Sequence, residues 1–190
     1  MNPMIREAML KWAEERRQGM HRGRTPTPEH AASIWDTSFI PDRYCPATDQ
    51  LIAEAEARVE ISIPASMRAQ LLIQNGGQLC DCDPLPFGEK ALWMNAAVDG
   101  ILQVQQWDRA AENNWFESVD DVPDLYLLVR IAAHSESQLC LDFRKSGSTG
   151  TPAVTYIDVC MDPTEVVVLA ETVDDFIQAL IVARRASETS

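Results

Sequence analysis

Apolar residues recur at helical spacing in the first third of the chain and again near its end. Between those regions they gather into short continuous or alternating runs. The first pattern predicts amphipathic helices and the second predicts strands. Behind Thr48, which suits a helix cap, Leu51, Ile52, Ala55 and Val59 share one helical face. The next helix has both its start and its stop written out. Pro64 suits the opening turn, because its φ is preset and a first-turn N–H would find no partner there. Asn75-Gly76-Gly77 closes it, since glycine tolerates the left-handed backbone on which many helices end. Between them Met67, Leu71 and Leu72 form one stripe to be buried.

After Gly77 the pattern predicts short β-like pieces at residues 78–80, 91–95 and 101–104, divided by Asp83-Pro84, Pro86 and Gly88, and then a helical stretch over 107–115. Runs rich in β-branched or aromatic residues follow at 125–131, 138–143, 153–159 and 166–170, spaced as in an antiparallel meander. A further helix comes next, with Thr172 and Asp175 as a capping pair and Val173, Phe176, Ile177 and Leu180 as its apolar face. Upstream, Ile5, Met9 and Trp12 share a face of a helix opened by Pro3, residues 19–28 break regular structure, and Thr27-Pro28 starts a short helix running to Trp35. The chain thus divides into an N-terminal helical arm and linker, residues 1–44, and an α+β domain, residues 45–190, in which helices flank an antiparallel sheet. The arm is expected to fold back over the core or to hold a second copy, giving a monomer or a homodimer through the arm.

With 190 residues, 46% of them hydrophobic and 24% charged, the chain can bury a core. No apolar run nears the roughly 20 residues that span a bilayer, and Pro3, Arg6 and Glu7 interrupt any leader-like stretch, so a cytoplasmic protein is expected. Cys45, Cys80, Cys82, Cys140 and Cys160 are odd in number and lie mostly among apolar neighbours, which favours reduced thiols. The net charge of −13 is unevenly divided. Seven Lys/Arg against six Asp/Glu leave +1 before residue 45, whereas nine against 23 leave −14 from there on. Such a domain repels nucleic acid and anionic membranes and attracts basic surfaces, unless its acidity serves solubility alone.

Candidate binding chemistry gathers where that acidity is densest. Asp108, Glu112, Glu117, Asp120, Asp121 and Asp124 interleave with Trp107, Trp115 and Phe116. Buried aromatics can supply contact area while rim carboxylates steer and select a basic partner; the plainer possibility is that the aromatics pack inward and the carboxylates face water. Catalytic and metal motifs do not hold up. Cys80-Asp81-Cys82-Asp83 lacks the spacing and second ligand pair of a structural zinc site. His134, Cys140 and Asp142 have the residue types of a thiol triad, yet closeness along one hairpin is no sign of convergence. Gly147-Ser148-Thr149-Gly150 has no phosphate-loop lysine and reads as a hairpin loop. No cofactor, no metal and no catalytic residue is expected.

Three segments together resemble the SUKH superfamily, which includes the fungal cell-wall assembly regulator and many bacterial toxin-immunity proteins. They are Ala53-Glu54-Ala55-Glu56-Ala57 leading to Ile63-Pro64 and Asn75-Gly76-Gly77, then Leu127-Leu128-Val129-Arg130-Ile131-Ala132 with Leu139-Cys140-Leu141-Asp142, and finally Val173-Asp174-Asp175-Phe176-Ile177. The likeness covers about residues 48–182 and leaves the arm unexplained. It implies an α+β domain on an antiparallel sheet, with Pro64, Asn75, Gly76, Gly77, Asp142 and Phe176 as structural signature positions, Asp142 accepting hydrogen bonds from a neighbouring turn. It also implies a non-enzymatic role, in the bacterial branches as antidote to a toxin that is often a nuclease. Combined with the acidic domain, the expectation is an immunity protein that binds a basic toxin domain directly. The alternative is a cytosolic adaptor or regulatory module for an endogenous protein, and a hydrolase with an unrecognised carboxylate site stands third.

Overall fold

The cap signals at Thr48 and Thr172 become helix starts in the computed structural model, which describes residues 27–36, 45–79, 87, 97–98, 107–112, 121–134, 137–159, 161 and 163–187. The arm helix with Ile5, Met9 and Trp12, the strands expected at 91–95 and 101–104, and the Cys80-Asp81-Cys82-Asp83 motif lie outside those residues. Helix α1 is short, Pro28–Ala31. The expected run to Trp35 stops there because Ser33, Ile34 and Trp35 enter the core, where Trp35 forms an antiparallel bridge with Leu79. Helix α2, Asp49–Val59, starts where Thr48 Oγ1 accepts the Leu51 N–H at 3.2 Å, and it buries Ile52, Ala55 and Val59.

Helix α3 is Ala65–Ile73, one residue shorter at its start than the proline signal predicts. Pro64 has a helical φ of −54° but an extended ψ of 142°, so it is the cap, and its carbonyl accepts the Arg68 N–H at 2.9 Å. The end also differs: the helix stops on extended Gln74 (φ −153°, ψ 128°), and Gly76 (φ 84°) and Gly77 (φ 137°) turn the chain two residues later. The cause is a buried amide: Gln74 Nε2 donates to Gly76 O at 2.9 Å and Gly76 N donates back to Gln74 O at 3.0 Å. Leu72, expected in the buried stripe, is 40% exposed. Gln70 takes that place beside Met67 and Leu71, because its Oε1 accepts the Ile34 N–H at 3.1 Å and its carbonyl accepts the Trp35 indole N–H at 3.0 Å.

Strands β1, Gly77–Gln78, and β2, Ala97–Val98, form a two-stranded ribbon. Strands β3, Asp108–Arg109, β4, Leu128–His134, β5, Ser137–Asp142, β6, Ala153–Asp158, and β7, Glu165–Ala170, follow one another in a five-stranded antiparallel meander. Two expectations change here. The helix expected over 107–115 is instead β3 followed by a 3-10 turn at Ala110–Glu112, because Asp108 registers against Arg130 of β4. The strand expected from residue 125 opens as a second 3-10 turn, Leu125–Leu127, ahead of β4.

One face of the sheet carries Val129, Leu139, Leu141, Val154 and Tyr156 into the main core with Ile52, Met67 and Leu71. Helix α4, Val173–Ser187, closes it with Val173, Phe176, Ile177 and Leu180 all buried, and Phe87 stacks on Phe176 with ring centroids 4.9 Å apart. The opposite face carries a smaller cluster, Leu128, Cys140 and Ile157 with Ala110 and Val122. Fully burying side chains of this size contributes about 1.5–3 kcal/mol each, so both faces are needed to hold the sheet. The boundary drawn at residue 44/45 separates sequence patterns, not packing: Ile34 and Trp35 have no exposed surface and belong to the main core.

Candidate functional site

The second sheet face concentrates charge. By register Asp108, Arg130, Cys140 and Thr155 lie in one row across β3 to β6. Asp108 and Arg130 form a two-pronged ion pair, Nε to Oδ1 and Nη2 to Oδ2 both at 2.7 Å, the geometry in which a planar guanidinium matches a carboxylate. Two residues along β5 from Cys140, on the same face, Asp142 is buried and filled. Its Oδ1 accepts from the Arg144 backbone N–H at 3.0 Å and Nε at 2.9 Å, and its Oδ2 accepts from Arg144 Nη2 at 2.6 Å and Thr155 Oγ1 at 3.2 Å. Burial alone would raise the Asp142 carboxyl, but the hydrogen bonds and charge of Arg144, helped by Thr155, hold it below the usual carboxylate range. The same bond raises Arg144.

Cys140 sits beneath this network with no exposed surface. Burial first, then the negative charge of Asp142 and Asp108, pushes its thiol far above the ordinary range against the weaker opposing pull of Arg130 and Arg144. It stays protonated at neutral pH and is a poor nucleophile.

The acidic stretch singled out from the sequence divides in the structure. Trp107 is fully buried in the main core, so its area serves packing and not a contact face. Asp108 is committed to Arg130. Glu112 ends the 3-10 turn after β3, while Trp115, Glu117 and Asp120 lie outside the described residues. Asp121 and Asp124 are exposed. Asp121 Oδ2 accepts the Thr164 N–H at 2.7 Å, which ties this loop to the start of β7; the Thr164 hydroxyl first and its N–H second lower the Asp121 pKa. Asp124 takes a left-handed backbone, φ 55° and ψ 41°, and its carbonyl accepts the Leu127 N–H at 2.8 Å. Of the signature positions, Asn75 is buried with its N–H on Cys45 O at 3.1 Å, and Phe176 is core.

Two surface residues went unread in the sequence. Tyr126 is 53% exposed beside Asp124, and Arg109 holds it there, donating Nη1 to Tyr126 O at 2.7 Å and Nη2 to Glu60 Oε2 at 2.9 Å. The alternation of Leu125, Tyr126 and Leu127 was a signal for Tyr126; nothing local marks Glu60, 49 residues from Arg109.

Arg109 is one of several cations paired with carboxylates of the same chain. Arg68 pairs with Asp49 at 2.7 Å, Arg109 with Glu60, Arg130 with Asp108 and Arg144 with Asp142, while Lys145 reaches Glu171 at 3.6 Å. Each pair cancels one charge of either sign, so the acidic surplus of residues 45–190 is left unneutralised by them. Among the described residues no group of three or more His, Cys, Asp or Glu is arranged to hold a metal ion, and no helix is long and apolar enough to cross a membrane.

A family model described as the SMI1 / KNR4 family (SUKH-1) matches residues 46–179, close to the 48–182 over which the resemblance was read. No curated protein matches the chain.

Proposed function

From the premise that this chain belongs to the SMI1 / KNR4 family (SUKH-1), we propose that it is a non-enzymatic protein-binding module, an immunity protein that neutralises a basic toxin domain in the cytoplasm by covering it. The observation that carries this reading is the charge distribution. From residue 45 onward nine basic residues stand against 23 acidic ones, and Arg68, Arg109, Arg130 and Arg144 are already paired with carboxylates of the same chain. A negative field of that kind raises the association rate of a basic partner and rejects acidic ones. The chemistry on the second sheet face supports the non-enzymatic part. Asp142 has both oxygens occupied, Asp108 is held by Arg130, and the Cys140 thiol is kept protonated, so these three groups stabilise the sheet and are not poised for acid–base work.

The test is capture and rescue. The tagged chain is exposed to an extract of its native cell at about 0.1 M salt and eluted at about 1 M, across which the screening length falls from about 10 Å to about 3 Å. The expected eluate is a basic polypeptide that arrests growth when expressed alone and does so no longer when this chain is co-expressed. A harmless endogenous partner would transfer the module to regulation and remove the immunity reading.

A further inference from the structure

The five-stranded sheet has two dissimilar ends. At one, β3 is two residues long and runs directly into a 3-10 turn, which leaves little edge for another strand. At the other, β7 is six residues long and, among the described residues, is paired with β6 alone. Natural sheets blunt such edges with lysine, proline, inward charge or a very short strand. Residues 166–170, Val-Val-Val-Leu-Ala, hold no lysine, proline or charge; the register with β6 shifts once, between Val154 and Thr155, so the regular part of the edge is residues 165–168.

Burial shows the same incompleteness. Every residue of β5 is buried, as is every residue of β6 except Asp158. In β7, Val166 and Val168 are 37% and 42% exposed on the outer face, and Val167 and Leu169 are only half-buried against the main core. Met161, in the connection from β6, adds a 53% exposed apolar side chain nearby. Both faces of the strand are therefore apolar and partly covered, the condition in which one added strand would finish the packing on each side.

Charge decides the occupant. Glu165 begins the strand and Glu171 follows its end, about 20 Å apart at the rise of an extended chain; the Glu171 side chain is 72% exposed and Lys145 reaches it at 3.6 Å in a solvent-exposed pair that holds it only weakly. A second copy would bring a chain of net charge −13 against its own like. A cationic segment meets no such opposition. Building on the reading of a basic partner, we propose that β7 is the docking edge and that it takes up an extended segment of that partner as a sixth strand, with alternating apolar residues to meet Val166 and Val168 and a lysine or arginine at each end.

The probe is a synthetic seven-residue peptide of alternating valine and threonine with lysine at both ends, titrated into the isotope-labelled full-length chain and followed by amide NMR. Shift changes and slowed amide exchange are expected at residues 165–171, weakened about tenfold by V168K, which sets a charge on the edge, and little changed by V168T, which keeps the β-branched shape. A glutamate-ended peptide is expected to bind far more weakly. Shift changes centred on Asp121, Asp124 and Tyr126 would overturn the edge assignment and leave the basic-partner reading standing. Equal binding of the glutamate-ended peptide at β7 would overturn the basic occupant while keeping the edge. No response at β7 to either peptide, or dimerisation of the free chain through β7 in sedimentation, would overturn the proposal.

Discussion

Asp142 shows how a single carboxylate can organise a sheet face without doing chemistry. It accepts from the Arg144 backbone, from two nitrogens of the Arg144 guanidinium and from Thr155, so the turn after β5 is fixed to β6 through one side chain. Asp142→Asn keeps the shape but leaves the half-buried guanidinium of Arg144 without its counter-charge. Loss of about 2 kcal/mol is expected in urea unfolding near pH 7, less than for a fully buried pair because Arg144 retains some contact with water. The pH dependence has a definite sign. A carboxyl held below its unfolded pKa of about 3.9 binds fewer protons folded than unfolded, so its stabilisation is complete above that value and is lost as pH falls through the lower folded value. Asp142→Asn should therefore flatten the acid side of the stability curve. An unchanged acid limb would show that Asp142 does not carry it. The residue type and its place in a strand were readable in sequence, and the resemblance marked the position; the identity of Arg144 and Thr155 as its partners was not, since Thr155 comes from the next strand.

Helix α4 belongs to the scale of elements. Thr172 Oγ1 accepts the Asp175 N–H at 3.0 Å and donates to Asp175 Oδ2 at 2.7 Å, a reciprocal cap made within four residues. Thr172→Ala is expected to cost about 1 kcal/mol. In a chain of this size that lowers the thermal midpoint by about 2–4 °C, measurable by calorimetry. Starts like this were legible because the interaction is short-range: Thr48 and Thr172 cap the helices their positions predicted. Ends and neighbours were harder. The Asn75-Gly76-Gly77 stop lies two residues past the true end of α3, because the buried amide of Gln74 ends the helix first. Residues 107–115 have the composition of a helix, yet the Arg130 ion pair 22 residues away draws Asp108 into a strand. Local propensity is worth tenths of a kcal/mol per residue, and a strand pairing with a partly buried ion pair outweighs it.

At the scale of the molecule, α4 also ties down the segment before the domain. Arg184 is buried and its Nη1 donates to the carbonyls of His30, Ser33 and Trp35 at 3.0, 3.2 and 3.1 Å, about 150 residues away in sequence. Arg184→Met keeps the apolar stem and leaves those carbonyls short of a buried donor, so a loss of about 3 kcal/mol is expected. Hydrogen exchange at Ile34 and Trp35 should accelerate more than at β5; equal acceleration at both would mean that Arg184 supports the whole fold and not the docking of residues 27–36.

Sequence by itself determined the α+β class, the meander, the helix starts at Thr48 and Thr172, the acidity and the family, because each of these rests on short-range periodicity, on composition or on the order of segments along the chain. Tertiary structure alone decided which charges are engaged within the chain, that Trp107 is core while Tyr126 is surface, that Ile34 and Trp35 pack into the main core, and that β7, among the described residues, pairs with β6 alone. The physical reason is distance along the chain. A cap or an alternating run is completed by its own neighbours, whereas the burial of an indole, the pairing of a guanidinium and the order of strands in a sheet depend on residues that only folding brings alongside.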